Sequence, residues 1–209
     1  MRTLAILCLR PLLWLVLGLS VGGRERLPRR GPAIVAANHN SHVDILVLLA
    51  AFRASALQYV VPVAAADYFL ATPFLRFVAL RLIGILPLER RMGRATRGSD
   101  PLAGARAALQ AGRILLVFPE GTRGAPEELG ALKGGIARLA EDCALPIVPV
   151  YVQGAGRILP KGARVPVPFT CTVLVGRPVR PGADRASTLA GLSAAFRTLR
   201  AHAPPLHWH

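Results

Sequence analysis

Short apolar runs alternate along most of this chain with longer segments of helical periodicity. The runs are rich in β-branched residues and predict strands at 33–37, 58–63, 84–88, 113–118, 146–152 and 171–176. Helical patterns lie between and after them, at 42–53, 71–83, 100–111, 131–142 and 186–201. Strands that alternate with helices of this length predict an α/β fold, in which helices cover a central, mostly parallel or mixed β-sheet. The segment 154–170 is rich in glycine and proline and is expected to be a loop.

The longest apolar stretch, residues 3–22, comes before the first of these strands. As a helix it would be about 30 Å long, nominally enough to cross a bilayer. However, Arg10 and Pro11 interrupt its middle: a central arginine costs roughly 2.5–3.5 kcal/mol on insertion scales, and proline breaks or kinks a helix. We therefore expect residues 1–23 to form a membrane-associated helix at the bilayer surface. A full membrane span, a cleaved signal and a buried helix of a soluble protein remain alternatives.

Composition narrows the choice of partners. The chain is 53% hydrophobic and carries a formal net charge of +15, which fits an anionic membrane surface or a polyanion. Nucleic acid is not the partner we predict, because aromatic residues make up only 6% of the chain and its arginines are scattered. The three cysteines, Cys8, Cys143 and Cys171, are far apart, which favours buried thiols over a disulfide framework or a zinc site.

Three polar clusters directly follow predicted strands. They are Asn38–Asp44 after strand 33–37, Glu89–Arg91 after strand 84–88, and Pro119–Arg123 after strand 113–118. The carboxyl ends of parallel strands lie at one edge of a sheet, where functional sites are built. If these strands are parallel, the three clusters are expected to converge.

His39 and Asp44 are the candidates for proton transfer in the first cluster. The S-x-x-D pattern at 41–44 fits a capping box and predicts a helix that begins at His42, with Ser41 as its cap. Asp44 can then reach back to one ring nitrogen of His39, which leaves the other nitrogen free to accept a proton. A simple helix cap at Asp44 and a hydrogen-bonded loop histidine at His39 remain the alternatives. His42 is the poorer partner, because it points to another side of the helix.

The second and third clusters carry positive charge. Arginine suits planar, bidentate contact with phosphate, although a solvated surface charge is the alternative in so arginine-rich a chain. In the third cluster Pro119 ends the strand, and Gly121 lets a backbone amide approach a ligand between Glu120 and Arg123. A tight turn with a local ion pair is the alternative here. The chain has no G-x-S-x-G nucleophile elbow, so we favour direct base catalysis on a substrate hydroxyl over a covalent intermediate.

Four blocks together resemble the lysophosphatidate acyltransferases, the 1-acylglycerol-3-phosphate O-acyltransferase family of phospholipid synthesis. The family's N-H-x-S-x-x-D is present at 38–44, its G-x-[IL]-x-[VIL]-x-R at 84–90, its F-P-E-G-T-R at 118–123 and its hydrophobic-proline stretch at 147–150. The Lys133-Gly134 step also resembles the family, and the resemblance covers roughly residues 25–180. The departures are small: Glu89 stands where Asp is common, and Gly135 is unusual after Lys-Gly.

The resemblance implies an O-acyltransferase that moves a fatty acyl group from acyl-CoA or acyl carrier protein to the free hydroxyl of a lysophospholipid. The acceptor most strongly implied is 1-acyl-glycerol-3-phosphate, which would give phosphatidic acid. His39 would deprotonate the hydroxyl with the assistance of Asp44. The acceptor would be bound by Arg90, Glu120, Gly121, Thr122 and Arg123, with the two arginines on its phosphate. No metal and no other cofactor is implied, and the acyl donor is a cosubstrate.

The apolar run Leu12–Gly22 and the basic stretch after it predict a location, and together with the resemblance they divide the chain. We expect a membrane-associated protein at the cytoplasmic face of the bacterial inner membrane. Its parts would be the N-terminal helix at 1–23, an acyltransferase domain at 24–201 and a flexible tail at 202–209. Three other functions stay open: acyl transfer to another lysolipid such as lyso-ornithine lipid, a non-catalytic membrane protein that binds lipid, and an esterase or thioesterase. An intact pair of His39 and Asp44 argues against the non-catalytic alternative.

Overall fold

A computed structural model describes residues 2–65, 77, 83–88, 100–159, 167 and 169–206. Along the chain their elements are α1 (Arg2–Val16), β1 (Ser20–Gly22), β2 (Ala33–Ala37), α2 (Val43–Ala51), β3 (Val60–Ala65), β4 (Leu86–Leu88), α3 (Ala103–Gln110), β5 (Ile114–Val117), α4 (Gly135–Asp142), β6 (Ile147–Gln153), α5 (Ala155–Ile158), β7 (Thr172–Val175) and α6 (Arg185–Ala201). Short 3-10 turns lie at Arg24–Arg26 and Ala54–Ala56.

The described strands form one sheet in the order β1-β7-β6-β2-β5-β3-β4. β6, β2, β5, β3 and β4 are parallel to one another, whereas β7 is antiparallel to β6, and β1 is parallel to β7. The predicted α/β class with a mixed sheet is confirmed. Five parallel strands place their carboxyl ends at one edge of the sheet, which is the condition for the polar clusters to converge.

Both faces of the sheet are buried. On β2, Val35 and Ala37 face a layer that includes α1 and α2, while Ile34 and Ala36 face a layer that includes α3, α4 and α6. Burial on both faces explains why the strands read as continuous apolar runs and not as alternating ones. Packing on both faces fixes the positions of the central strands. The loops at the carboxyl ends of these strands therefore begin at fixed positions relative to one another.

The N-terminal segment forms a helix followed by a short strand, whereas a helix over residues 1–23 was predicted. The helix ends at Val16 and continues through Pro11, where a break or kink was expected. Gly18 has φ of 48°, in the left-handed region that ends a helix, and Ser20–Gly22 then pairs with β7. In the part of the chain that the structure describes, no helix combines the length and the apolar character needed to cross a bilayer.

Arg10, in the middle of the apolar run, turns toward the domain. Its guanidinium donates to the carbonyl oxygen of Phe52, where α2 ends. Arg24 donates to the same oxygen at 3.0 Å and to the carbonyl of Ala51 at 2.7 Å. The last carbonyls of a helix lack intrahelical partners and attract cations. Burial, with the neighbouring charge of Arg24, lowers the pKa of Arg10. This arginine therefore docks α1 onto the end of α2.

Other predicted elements agree with the structure except at their ends. The predicted loop 154–170 contains the one-turn helix α5, which follows Gly154 at φ of 86°. The predicted helix 71–83 lies almost entirely outside the described residues. The predicted tail, 202–209, is described as far as Leu206, which packs against the layer that contains α1 and α2.

Candidate active site

His39 and Asp44 meet in the turn between β2 and α2. His39 Nδ1 lies 2.9 Å from Oδ2 of Asp44, which is 1% exposed. The same oxygen accepts the backbone N–H groups of Asn40 and Ser41, each at 2.8 Å. Because Oδ2 already accepts two N–H groups, it acts as an acceptor toward the ring as well. The proton of the neutral imidazole therefore sits on Nδ1.

A proton on Nδ1 makes Nε2 the basic nitrogen of His39. No hydrogen bond to Nε2 is found among the described residues, and the side chain is 16% exposed. A hydroxyl group that reaches Nε2 can transfer its proton there, while Asp44 stabilises the imidazolium that forms.

Asp44 also completes the start of α2. Its hydrogen bond from the Ser41 N–H is one half of the predicted capping box. The other half is altered: Ser41 Oγ accepts from Val43 N–H at 3.3 Å and donates to the carbonyl of Leu159 at 3.0 Å. The helix begins at Val43, one residue later than predicted. Capping and contact with His39 therefore share one carboxylate oxygen and are not alternatives.

The loop after β5 encloses His39 from the neighbouring strand. The ring of Phe118 stacks on the imidazole, with centroids 4.1 Å apart and planes at 24°. The backbone N–H of His39 donates to Glu120 Oε1 at 3.1 Å, and its carbonyl accepts from Gly124 N–H at 2.8 Å. The structure thus brings the first and third polar clusters together.

Glu120 is buried in this arrangement, with 5% of the residue exposed. Its second oxygen, Oε2, accepts from the backbone N–H of Gly130 at 3.2 Å. Burial raises the pKa of the Glu120 carboxyl, although the N–H groups of His39 and Gly130 oppose that shift. Each oxygen of this carboxyl group holds a backbone segment in place.

The turn after Glu120 requires a glycine at position 121. Gly121 has φ of 72°, a left-handed conformation that side chains disfavour, and a Cβ there would lie 3.5 Å from the side chain of Lys133. Lys133 is tied to the same turn, because its backbone N–H donates to Pro119 O at 2.7 Å. Thr122 is exposed and Arg123 is half-buried.

Arg123 lies within electrostatic reach of the first cluster. Burial, followed by the charges of Arg123 and His39, lowers the pKa of His42 to about 4. His42 is therefore neutral near pH 7, and so low a pKa suits a general base poorly at that pH. The low pKa of His42 supports the predicted preference for His39 as the base.

The second polar cluster is the segment Glu89–Arg91. Glu89, Arg90 and Arg91 lie outside the described residues. They follow β4, which is separated from β5 by β3 and ends at the same edge of the sheet. A phosphate contact of Arg90 stays a prediction.

Two asparagines of the first cluster have a role that the sequence did not indicate. Asn38 pairs with β6 as a peptide group would: its Oδ1 accepts from Val152 N–H at 2.7 Å and its Nδ2 donates to Val152 O at 2.9 Å. Nδ2 also donates to Oδ1 of Asn40, and Asn40 donates to the carbonyls of Ala125 and Glu128. A signal for this role was present in the sequence, because two asparagines flank His39 directly after a strand. An amide side chain can satisfy both an N–H and a C=O group of a neighbouring backbone.

Comparison with known proteins gives the relatives of this chain. A 1-acyl-sn-glycerol-3-phosphate acyltransferase of Arabidopsis chloroplasts is 29% identical over 151 residues, 69% of this chain and 38% of that protein. The Saccharomyces cerevisiae protein of that name is 34% identical over 157 residues, 73% of this chain and 49% of its own length. The chain thus spans less than half the length of these two relatives.

The fold has a solved counterpart. The crystal structure of the 1-acyl-sn-glycerophosphate acyltransferase from Thermotoga maritima superposes with a TM-score of 0.72 at 21% identity, and the match covers 97% of this chain and 81% of that one. The Acyltransferase family matches residues 18–153, which include both His39 and Asp44 and the loop after β5. On this evidence the chain belongs to the Acyltransferase family.

Proposed function

We propose that this protein is an O-acyltransferase that transfers a fatty acyl group to the free hydroxyl of lysophosphatidate. The donor is a thioester, either acyl-CoA or acyl carrier protein. The observation that carries the proposal is the contact of 2.9 Å between His39 Nδ1 and buried Asp44, which leaves Nε2 as the base. The names of the relatives, which are 1-acyl-sn-glycerol-3-phosphate acyltransferases, support lysophosphatidate as the acceptor.

The reaction needs one base and no covalent enzyme intermediate. Nε2 of His39 takes the hydroxyl proton while the oxygen attacks the carbonyl carbon of the thioester. A C–O bond forms, the C–S bond breaks, and the departing thiolate takes the proton from the imidazolium. Asp44 stabilises the charge that appears on the ring between these two proton transfers.

Arg123 and Arg90 hold the acceptor's phosphate in this proposal, and Gly121 and Thr122 border it. The effect of Arg123 on the pKa of His42 supports a guanidinium beside the His39 turn. A phosphate there would lie next to the hydroxyl that His39 activates, since both belong to one small glycerol unit. Arginine provides the paired N–H donors that a phosphate group accepts.

The test is acyl transfer from labelled acyl-CoA to a panel of lysolipids, with wild-type protein and Arg123→Ala. We expect lysophosphatidate to be the preferred acceptor. Loss of a charged hydrogen bond costs roughly 1.5–3 kcal/mol, so the KM for lysophosphatidate should rise about 10- to 100-fold, with little change in the KM for acyl-CoA. Arg180→Ala, an exposed arginine beside the bridge of Ile147 with Val179 at the start of β6, is the matched control.

Each alternative function predicts a different result in the same assay. If lyso-ornithine lipid, which has no phosphate, were used as well as lysophosphatidate, the acceptor would belong to another class of lysolipid. Release of free fatty acid without an acceptor would indicate a thioesterase. Binding of lysolipid without turnover would indicate a lipid-binding protein. Equal KM changes for both substrates in Arg123→Ala would point to a structural role for that arginine.

We propose that the protein lies at a membrane surface on the cytoplasmic side, and the helix α1 supports the association with a membrane surface. Several of its apolar side chains are exposed, among them Leu4 at 66%, Leu12 at 55% and Leu15 at 86%. Its only cation beyond Arg2, Arg10, points inward to Phe52. An apolar stripe on a helix docked against the domain can lie in the headgroup layer of a bilayer without crossing it.

Charging this stripe is expected to release the protein from membranes. Each leucine withdrawn from the apolar phase loses about 1.5–3 kcal/mol, so Leu12→Glu with Leu15→Glu should move most of the protein to the soluble fraction. The matched control is Ala190→Glu with Ala194→Glu, which places the same charges on exposed positions of α6. A wild-type protein that fractionates as soluble without detergent would contradict the membrane proposal.

A further inference from the structure

Glu120 contacts the backbone of His39, and both oxygens of its buried carboxyl group already accept hydrogen bonds from the protein. Oε1 accepts the His39 N–H at 3.1 Å, and Oε2 accepts the Gly130 N–H at 3.2 Å. With 5% of the residue exposed, its carboxyl group lies behind the surface that an acceptor would reach. Its two hydrogen bonds join the turn after β2 to the far end of the loop after β5.

The peptide groups of His39 are held from both sides by that loop. Glu120 takes the N–H of His39, and the N–H of Gly124 donates to its carbonyl at 2.8 Å. With both backbone groups fixed, the position of the ring depends on its side-chain torsions alone. Those torsions are restrained by Asp44 at 2.9 Å and by the stacked ring of Phe118.

Gly130 shows how closely this carboxyl group is enclosed. A Cβ at position 130 would lie 2.7 Å from Glu120 Oε2 and 3.3 Å from its carboxyl carbon. Contacts below 3.0 Å require one partner to move, so only glycine lets the backbone approach this closely. The close contact between the backbone at Gly130 and the carboxyl group of Glu120 is formed by the folded chain itself, without a ligand.

We propose that Glu120 is a positioning residue that fixes the backbone of His39, in place of the contact with the acceptor that the family resemblance implied. The inference rests on the proposed function, in which His39 is the base. A carboxylate suits this position because both of its oxygens accept hydrogen bonds, whereas an amide offers one acceptor and turns an NH2 group toward one of the two N–H donors.

The experiment combines kinetics with a probe of His39 that needs no substrate. Glu120→Gln should lower kcat about tenfold or more, because small misplacement of a catalytic group is costly, with the KM for lysophosphatidate within twofold of wild type. The rate at which diethylpyrocarbonate modifies His39, followed by peptide mass spectrometry, should change as well. Glu128→Gln, an exposed carboxylate in the same loop, should change neither quantity.

A second variant reaches the same carboxyl group without altering it. Gly130→Ala forces its Cβ against Oε2 and should reproduce both changes, while Gly104→Ala, where a Cβ meets nothing within 4 Å, should not. In a His39→Ala background, Glu120→Gln should cause less than a twofold further loss, because its effect passes through His39.

Two results would overturn the proposal. One is a raised KM for lysophosphatidate with normal kcat and normal modification of His39, which would make Glu120 an acceptor ligand. The other is wild-type behaviour of both Glu120→Gln and Gly130→Ala. If lysophosphatidate proved to be no substrate at all, the modification rates would still decide the position of His39, so the failure of the proposed function would be seen separately.

Discussion

Replacing His39 with alanine is expected to lower kcat for acyl transfer by roughly 10²–10⁴-fold, the usual contribution of a general base. In the described site the ring of His39 is oriented by the carboxylate of Asp44, and no hydrogen bond to its basic nitrogen Nε2 is found among the described residues. Removing the ring deprives the acceptor hydroxyl of the base that the proposal assigns to it. The KM for acyl-CoA should change little, because the proposal gives His39 no contact with the nucleotide. Rates are measured with saturating donor and acceptor, alongside the thermal midpoint.

His42 provides the control inside the same turn. Its pKa of about 4 makes it a weak base, so His42→Ala is expected to lose far less activity than His39→Ala. The acid limb of the kcat/KM profile should also keep its position in His42→Ala. A His42→Ala enzyme that is less active than His39→Ala would reverse the assignment of the base.

Stability must be followed with pH in these profiles. Folding lowers the pKa of His42 from its ordinary 6.5 to about 4, so the unfolded chain binds a proton more readily than the folded one. The neutral ring therefore contributes stability above about pH 6.5, and this contribution is lost as the pH falls toward 4. Wild type should lose stability over this range more steeply than His42→Ala. A fall in rate that tracks the fall in thermal midpoint reports unfolding and not titration of the base.

The sheet and the convergence of two polar clusters could be predicted, because strands that are buried on both faces need apolar residues along their length and so can be identified from the local sequence. The run at 33–37 is apolar throughout and the run at 113–118 is apolar after Arg113, as expected of strands covered on both faces. Once they are parallel and adjacent, His39 and Glu120 are expected at the same edge of the sheet. The family blocks at 38–44 and 118–123 independently identify the same two segments as parts of the site.

The partners of individual groups could not be predicted, because they come from distant parts of the chain. Glu120 meets the His39 backbone across 81 residues, and Asn38 meets Val152 across 114. No local pattern specifies such pairs. The strand Ser20–Gly22 was missed for the same reason: three residues have little strand signal, and pairing with β7 determines their conformation.

Arg10 shows how a correct physical rule can be applied to the wrong surroundings. An arginine inside an apolar run is costly in lipid, and that rule argued against a membrane span. The side chain instead satisfies the carbonyl of Phe52 and belongs to the interior side of α1. Hydrophobic pattern alone could not distinguish a penalty within a bilayer from a cap on a neighbouring helix.

Asp44→Asn is expected to lower kcat by roughly 10²–10⁴-fold while the fold is kept. An amide can place its oxygen where Oδ2 now accepts from Asn40 and Ser41, so the start of α2 can persist. The negative charge of Asp44, however, is gone, and it no longer stabilises the imidazolium that His39 becomes when it takes the hydroxyl proton. The opposite amide orientation would turn an NH2 group toward two N–H donors and toward Nδ1, which would also upset the tautomer of the ring.

The same substitution separates capping from catalysis by the size of its two effects. The Oδ1 atom of Asp44 is buried without a hydrogen-bond partner among the described residues, so an amide NH2 placed there loses about 1–3 kcal/mol of stability. If Asp44 served only as a cap, the thermal midpoint would fall and kcat of the folded enzyme would stay near normal. If it stabilises the imidazolium, kcat falls by far more than such a stability change can explain under conditions where the variant remains folded. Measurement of kcat and the thermal midpoint for Asp44→Asn, beside His39→Ala and His42→Ala, decides between them, and near-normal turnover in Asp44→Asn would remove the carboxylate from the mechanism.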